Sequence, residues 1–423
     1  AAMRQRIFTT VLAIALGVNL YLGARNLATS AEVRGKEDVY ANMEKFTRVL
    51  ETVRREYVDE EKVSYEDLVQ GALRGMVQTL DPHSEYMDAK KYQALQSDTM
   101  QQFGGIGVVV SMRDNWLTVV APMDDTPGSR AGLMPGDRIM KIGKKSAKNM
   151  SLNDAVGIMR GKPGTEVTVA FYRPSADKDL TFTFKREIIK TKSVSDLNGG
   201  GKYDLLESKI GYVRMSGFSE KTASELETAL VKMEEHGLKA IVLDLRDNPG
   251  GLLTQSAYVT EKFVPEGQVV VTTEGREQRQ LDKLVASGRF KERTLPMVVL
   301  VNGGSASASE IVAGCLQDLG RAELVGMKTF GKGSVQSILP LHDGSALRLT
   351  TAKYYTPKHR TIHGKGITPD HVVEMSPEQM GHLALMRSPG GLRALPEEDR
   401  KKAEATTDLQ LKKALDLLKA KLK

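Results

Sequence analysis

The stretch that decides the fold is "MVVLVNGGSASASEIVAGCLQDLG", residues 297 to 320. It opens with five consecutive apolar residues, which is typical of a strand buried on both faces. Two glycines and a serine-rich turn follow, and residues 307 to 320 then have the composition of a helix. A second apolar run, "LKAIVLDLR" at 238 to 246, follows a helical pattern at 221 to 236. Strands and helices therefore alternate, which predicts an α/β core over residues 191–375.

Three other regions differ from this core in composition. Residues 25–100 carry a helical apolar period, and Ser64 is placed to cap a second helix. Residues 101–190 alternate short β-branched runs with Gly, Pro and Asp turns, which predicts a compact β-rich module. Residues 376–423 end in a helix whose leucine stripe lies opposite many lysines, which predicts an element for docking or dimerisation.

The first 24 residues predict export. Arg4 and Arg6 precede an apolar stretch at residues 7–24 that contains no charge. This pattern is typical of a signal peptide or a membrane anchor, and the basic residues place the rest of the chain across the membrane. We therefore expect the bacterial periplasm or cell envelope, with residues 7–24 as an anchor if they are not removed.

Composition excludes several kinds of chemistry. The chain has 423 residues and a net charge of +7, but only 5% aromatic residues and no dense basic tract, so a solvated basic surface is favoured over nucleic-acid binding. Its one cysteine, Cys315, excludes an intramolecular disulfide and a cysteine metal cluster. His359 and His363 lack the glutamate that a zinc protease needs, so no metal and no cofactor are predicted.

Two turns of the core could carry chemistry. Ser307 begins a helix after a glycine turn, where the helix dipole and the N–H of Ala308 would stabilise an oxyanion. The alternative is structural, because Ser307 and Glu310 also fit a capping box. Gly250 and Gly251, after the strand at 238 to 246, form either a tight connection or a nest of N–H groups that binds an oxyanion.

Lys332 stands in "GMKTFGKGS", which imitates a phosphate-binding loop. Such a loop needs Ser or Thr after the lysine and then a helix. Here Gly333 follows, and residues 334 to 341 have a β-type pattern, so nucleotide binding is disfavoured. A lysine between glycines is either an exposed turn residue or a desolvated base of lowered pKa, and a serine with a neutral lysine is a known alternative to the catalytic triad.

The segment "GSASASEIVAGCLQDLGRAELVGMKTFGKGSVQS" (304 to 337) resembles the signature of the C-terminal processing, or tail-specific, peptidases. "GALRGMVQTLDPHSEYM", "FGGIGVVV", "SRAGLMPGDRIMKIG" and "YYTPKHRTIHGKGITPDHVVE" resemble other motifs of that family, so the resemblance covers nearly the whole chain after the N-terminal stretch. It implies an α/β serine protease core, an inserted β-rich PDZ domain, and helical N- and C-terminal segments. Cys315 departs mildly, since the family commonly has a small residue there.

The resemblance also implies roles for individual residues. Ser307 would be the nucleophile, Lys332 the base 25 residues later, and Gln336 the residue that orients the lysine. Ala308 and one of the two glycines, Gly250 or Gly251, would supply the oxyanion N–H groups. Ser305 and Ser309 are expected to serve as caps or packing residues.

The implied PDZ domain would bind the substrate tail. Such domains add an extended peptide to a sheet edge and hold its terminal carboxylate on backbone N–H groups. The predicted substrate-binding residues are Gly104, Gly105, Ile106, Gly107 and Val108. The alternative is that this glycine run only starts a hairpin.

Together these features predict an exported serine endopeptidase that cleaves proteins near their C-termini. The expected partners are protein substrates with apolar C-terminal tails, an adaptor protein, and further copies of the chain in a homo-oligomer, with no nucleic acid. A catalytically inactive PDZ scaffold that binds protein C-termini is the alternative function.

Overall fold

The computed structural model describes residues 39–387, except 101, 114 and 124, and residues 397–423. The predicted export segment at residues 7–24 lies outside the described residues. Within the described ranges, no helix is both long enough and apolar enough to cross a membrane. The chain forms two compact units, one up to Leu80 and one from Asp81 onward, which we describe separately.

The described part of the first unit is a pair of helices, α1 (Val39–Glu56) and α2 (Tyr65–Gln78). The Ser64 hydroxyl accepts a hydrogen bond of 3.1 Å from the N–H of Asp67, so the predicted cap is present. Helix α1 contains no buried residue, and its predicted apolar face is therefore exposed.

The second unit begins with a strand and a helix and continues into a β-rich module. In chain order the elements are β1 (Glu85–Met87), α3 (Ala89–Thr99), β2 (Gln102–Gly105), β3 (Val108–Arg113), β4 (Trp116–Pro122), α4 (Pro127–Arg130), β5 (Arg138–Ile142), β6 (Lys145–Ser146), α5 (Leu152–Met159), β7 (Glu166–Arg173), β8 (Lys178–Lys185) and β9 (Glu187–Lys190). Strands β3, β4, β5, β7 and β8 are neighbours in one antiparallel sheet, in that order. Strand β3 therefore lies at its edge.

The α/β core follows the β-rich module. Its elements are β10 (Val194–Ser195), β11 (Ile210–Met215), α6 (Thr222–Glu235), β12 (Ala240–Asp244), α7 (Leu253–Thr260), β13 (Val269–Glu274), β14 (Gln280–Val285), β15 (Met297–Val301), α8 (Ala308–Asp318), β16 (Glu323–Gly326), β17 (Ser334–Pro340), β18 (Ala346–Tyr355) and β19 (His371–Val372). The chain ends in α9 (Pro377–Arg387), α10 (Glu397–Glu404) and α11 (Leu409–Lys421). The predicted α/β architecture is confirmed.

The central sheet has the order β10-β11-β12-β15-β16-β19, and it is parallel from β11 to β19. Both predicted core strands, β12 and β15, are buried at every residue, as their continuous apolar runs require. The carboxyl ends of β12, β15 and β16 meet at one edge, where open α/β sheets place their ligands. A second, antiparallel sheet contains β1, β13, β14, β17 and β18.

The leucine stripe of α11 covers one face of the chain's own central sheet. Leu411 and Leu418 pack with sheet residues such as Val242 and Leu300, while α6, α7 and α8 pack on the other face. The stripe therefore docks within the chain and is not left free for a second copy.

A buried charge network fastens the start of α11 to the loop after β12. The guanidinium of Arg246 donates two hydrogen bonds of 2.9 Å to the carboxylate of Asp408, which caps α11, and one of 2.9 Å to Gln410. It also pairs with Asp244 at the end of β12. Because Arg246 precedes the Gly250–Gly251 turn by only a few residues, this network fixes the backbone that leads into that turn.

The glycine-rich segment at 195 to 202 is an ordered turn. The carboxylate of Asp196 accepts hydrogen bonds from the N–H groups of Asn198, Gly200 and Lys202, at 2.8–2.9 Å. These bonds fix the backbone that the glycines would otherwise leave free.

Candidate active site

Ser307 occupies a sharp turn between β15 and α8. Its backbone has φ 56° and ψ −117°, a region that residues with a side chain rarely adopt. An ordinary N-cap residue has an extended backbone instead, so capping alone does not explain this conformation. The strain is of the order of 1–3 kcal/mol and is characteristic of functional turns such as the nucleophile elbow.

Glu310 joins the Ser307 turn to the Lys332 loop. Its side chain is fully buried, and Oε2 accepts hydrogen bonds from the N–H groups of Ser307 and Lys332, both at 2.9 Å. Oε1 accepts from the N–H of Gly331 at 2.7 Å and from the Thr329 hydroxyl at 2.5 Å. Burial raises the pKa of Glu310, although these hydrogen bonds oppose the shift. One carboxylate therefore fixes the backbone at both predicted catalytic positions.

The predicted capping contact between Glu310 and Ser307 is present, and the carboxylate has further partners as well. The capping signal explains its bond to Ser307, but the bonds to the loop at 329–332 depend on a segment that returns from the end of β16. No local pattern around Glu310 indicates them.

Further hydrogen bonds hold the Ser307 turn against the Gly250–Gly251 turn. The Ser305 hydroxyl donates to the carbonyl of Leu245 at 2.8 Å, and the Ser309 hydroxyl donates to the carbonyl of Asn248 at 2.9 Å. The N–H of Ala306 also donates to Asn248, at 3.0 Å. Ser305 and Ser309 thus link two loops that follow neighbouring strands.

The two glycines differ in what their N–H groups do. The N–H of Gly250 donates to the side-chain oxygen of Asn248 at 2.9 Å. Among the described hydrogen bonds, the N–H groups of Gly251 and Ala308 have no acceptor. A Cβ on Gly250 would lie 2.7 Å from Cβ of Ser307, so only glycine fits against the strained serine. Gly251 and Ala308 are therefore the better placed pair of donors.

Lys332, in the loop that Glu310 holds, is half-buried. Burial lowers its pKa, and the positive charge of Arg348 lowers it further, whereas the carboxylate of Asp81 acts in the opposite direction. Among the described residues, its Nζ makes no hydrogen bond or ion pair, including none to Ser307. Its ammonium form is thus poorly stabilised, which favours the neutral amine.

Gln336 lies on β17 with its amide half engaged. Its Nε2 donates to the hydroxyls of Thr350, at 2.8 Å, and Ser334, at 3.2 Å. Its Oε1 is buried and has no partner among the described residues. Gln336 therefore offers one free acceptor.

Asp81 and Ser84, which lie outside the core segment, support the Gln336 amide indirectly through Thr350. The hydroxyl of Ser84 donates to Asp81 at 2.8 Å and accepts from the N–H of Thr350 at 3.0 Å. Burial opposes ionisation of Asp81, but hydrogen bonds from Ser84 and from the N–H of His83 bring the pKa of Asp81 down to about 2. In the sequence, this stretch was notable only for its resemblance to a family motif. The pairing of β1 with β18 carries it to the site.

A single cleft of about 820 Å³ brings the predicted catalytic residues together. Ser307, Ala308, Lys332 and Gln336 line it, as do both glycines of the 250–251 turn. Its apolar lining includes residues from several elements, among them Leu95, Phe218, Leu252, Leu253, Ile311 and Val335. A mostly apolar lining with a few polar groups is typical of a ligand-binding cleft.

The predicted tail-binding residues divide between two elements and the link that joins them. Gly104 and Gly105 belong to β2, which pairs with β9, and Val108 begins the edge strand β3. Ile106 is buried in the core of the β-rich module, so its side chain is not available to a ligand. The carbonyl of Gly107 accepts from the Thr126 hydroxyl at 3.0 Å.

Family models match three parts of the chain. "Peptidase family S41" matches residues 209–373, "PDZ domain" matches residues 104–184, and "Activating protease CtpB N-terminal domain" matches residues 19–91. The predicted protease core and the predicted PDZ domain are thereby confirmed, while their exact bounds stay a prediction.

Curated relatives agree with these models. The carboxy-terminal-processing protease of Bartonella bacilliformis is 41% identical over 442 residues, which cover 99% of this chain and 97% of that protein. The carboxy-terminal processing protease CtpA of Bacillus subtilis is 34% identical over 336 residues, or 79% of this chain and 70% of the relative. A solved structure, a putative S41 protease from Bacteroides fragilis, aligns with a TM-score of 0.50 at 16% identity, covers 88% of this chain and 97% of its own, and supports the fold.

The parallel sheet, the inserted PDZ domain and the extent of these matches lead to one conclusion. The chain belongs to the carboxy-terminal processing proteases, serine-type peptidases with an S41 core and a PDZ domain.

Proposed function

We propose that the chain is an exported endopeptidase that cuts protein substrates near their C-termini with a Ser307–Lys332 dyad. The observation that carries this proposal is the cleft in which a strained serine and a desolvated lysine are held by the same carboxylate, that of Glu310. The expected substrates are proteins with apolar C-terminal tails.

The reaction would proceed in two halves. Neutral Lys332 takes the proton of the Ser307 hydroxyl while Oγ forms a bond to the carbonyl carbon of the substrate. When the C–N bond breaks, Lys332 returns that proton to the leaving amine and an ester remains on Ser307. Water then attacks the ester with Lys332 again as base, and the acid product leaves as Ser307 regains its proton.

The oxyanion would be bound by the N–H groups of Ala308 and Gly251. Both lie beside Ser307 in the cleft and neither is engaged elsewhere among the described residues. The N-terminal end of α8 adds its positive partial charge at the same point. Removing one such donor typically costs about 100-fold or more in kcat.

Gln336 would orient the base. Its Nε2 is held by Thr350 and Ser334, so Oε1 is the part of the amide that remains available. An ammonium group formed on Lys332, which lines the same cleft, would donate to this oxygen. Catalytic hydrogen bonds often tighten only when substrate is present.

The PDZ domain would hold the substrate tail on strand β3. Because β3 is an edge strand, its outer N–H and C=O groups could pair with an added peptide. The N–H groups around Gly107 would receive the terminal carboxylate. We expect a substrate with two aspartates added after an apolar tail to show a KM at least about tenfold higher and a similar kcat, measured in steady-state assays. An unchanged KM would contradict tail recognition by this domain.

The inactive-scaffold alternative predicts binding without turnover. Intact Ser307, Lys332 and Gln336 favour the enzyme. Labelling of the purified chain by a serine-reactive fluorophosphonate, lost in Ser307→Ala, separates the two.

Export, an adaptor and a homo-oligomer belong to the same proposal. The apolar stretch at residues 7–24 supports export, which fractionation of a tagged chain tests. The exposed apolar residues of α1, among them Tyr40, Met43 and Val49, supply a surface on which further copies or an adaptor could pack. Light scattering of the purified chain measures the oligomer, and co-purification tests the adaptor.

Loss of either dyad residue should abolish turnover. We expect Ser307→Ala and Lys332→Ala each to lower kcat by at least about 1,000-fold with an unfolded protein of apolar tail as substrate, because both act in every proton transfer. Ser224→Ala and Lys328→Ala remove the same groups from sites outside the cleft and should leave kcat unchanged. Retained turnover in both dyad variants would show that the dyad is wrong.

The pH dependence should respond to the charges around Lys332. Only the neutral amine is a base, so kcat/KM rises as the pH rises through the lowered pKa of Lys332. Arg348→Met removes a positive charge, raises that pKa and should move the rise to higher pH. Asp81→Asn removes a negative charge and should move it to lower pH.

Profiles of kcat/KM against pH measure both shifts. Lys353→Met carries the same charge change as Arg348→Met on an exposed position of the same strand, and its profile should match that of the unaltered protein. If Arg348→Met and Asp81→Asn moved the rise of kcat/KM in the same direction, the assignment of Lys332 as the base would be contradicted.

Glu310→Gln should impair the chemical step. The new amide turns an N–H donor toward backbone donors at 307, 331 or 332, and each buried group left unpaired costs about 1–3 kcal/mol. We expect kcat to fall by roughly 5- to 150-fold, measured together with the free energy of unfolding.

A buried glutamate outside the cleft provides the control. Glu261 bonds to Ser287 through Oε2, while its Oε1 has no partner among the described residues. Glu261→Gln should therefore leave kcat unchanged. Equal kcat values in the two variants would count against a positioning role for Glu310.

A further inference from the structure

Tyr354, on strand β18, has a hydroxyl that the mechanism above does not use. The residue is 2% exposed, and its hydroxyl oxygen is buried without a hydrogen bond to any described residue. Buried polar groups are nearly always paired, so an unpaired phenol needs an explanation. Phenylalanine would fill the same space without an unpaired group.

The backbone of Tyr354 is bonded to the Lys332 loop, and the residue lines the cleft of the proposed dyad. The N–H of Tyr354 donates to the carbonyl of Gly333 at 3.1 Å, which ties β18 to the residue after Lys332. Tyr354 lines the same cleft as Ser307 and Lys332. The Ser307 hydroxyl lies near enough to influence the ionisation of Tyr354. Ser307 is thus the nearest chemistry that the phenol could serve.

The phenol keeps its proton and can therefore donate a hydrogen bond there. Burial, together with the charge of Glu310, raises the pKa of Tyr354 well above its usual range, although the Ser307 hydroxyl opposes the shift. The phenol therefore stays protonated in ordinary buffers, whether Lys332 is neutral or charged. A serine Oγ has one proton and two lone pairs, so a donated hydrogen bond on one lone pair restricts where its own proton can point.

We propose that Tyr354 is a positioning residue for this nucleophile, whose phenol O–H donates a hydrogen bond to Oγ of Ser307 and turns the serine proton toward Lys332. The assignment rests on the proposed Ser307–Lys332 dyad. It would add Tyr354, from a strand of the antiparallel sheet, to Ser307 and Lys332, which lie in loops that follow strands of the central sheet. The bond would form when substrate fills the cleft, because catalytic hydrogen bonds often tighten only then.

The test is Tyr354→Phe, which removes one oxygen and keeps the ring. We expect kcat and the rate of acylation by a fluorophosphonate probe each to fall by about 10- to 100-fold, since misorientation of a reacting group has effects of this size. KM should stay within about twofold, and the pH at which kcat/KM rises should not move, because the Lys332 environment keeps its charges. Thermal unfolding should show no loss of stability, because no formed hydrogen bond is removed.

Tyr355→Phe is the matched control. The neighbouring tyrosine loses the same oxygen from the other face of the strand, where its ring stacks on His359 with centroids 4.5 Å apart. All of its rates should equal those of the unaltered protein. Tyr354→Phe with unchanged kcat and acylation rate would overturn the proposal, as would a fall in kcat with unchanged acylation. Either result leaves the dyad standing, since only the Ser307→Ala and Lys332→Ala variants test that.

Discussion

The active-site region depends on one buried carboxylate. Glu310 has no exposed surface, and transfer of a carboxylate from water into such a site costs several kcal/mol unless its oxygens are bonded. Three backbone N–H groups and one hydroxyl provide those bonds. The same bonds hold the Ser307 turn and the Lys332 loop to one side chain. The need to satisfy the buried carboxylate with hydrogen bonds therefore sets the distance between the turn and the loop.

The parallel sheet makes this arrangement reachable. The loops after β12, β15 and β16 leave the same edge, and each contributes one part: the free glycine N–H, the serine, and the lysine. Ser305 and Ser309 join the first two loops, and Glu310 joins the second to the third. Strain at Ser307 persists because these contacts fix the backbone on both sides of it.

Local patterns predicted what local physics determines. The apolar runs of β12 and β15, the Ser64 cap and the β-type continuation after Lys332 all have the structure expected of them. The full role of Glu310 was not predictable, because a capping signal says nothing of a loop that returns 21 or 22 residues later. The Ser84–Thr350 contact spans 266 residues, and only the pairing of β1 with β18 creates it.

The order in which the residues are synthesised has a consequence for the Arg246 network. Asp408 and Gln410 lie 162 and 164 residues beyond Arg246, after every strand of the core. On the ribosome, Arg246 can therefore pair with Asp244 before its other two partners, Asp408 and Gln410, have been made. The contacts that join Arg246 to the cap of α11 can therefore form only after all the strands of the central sheet have been synthesised.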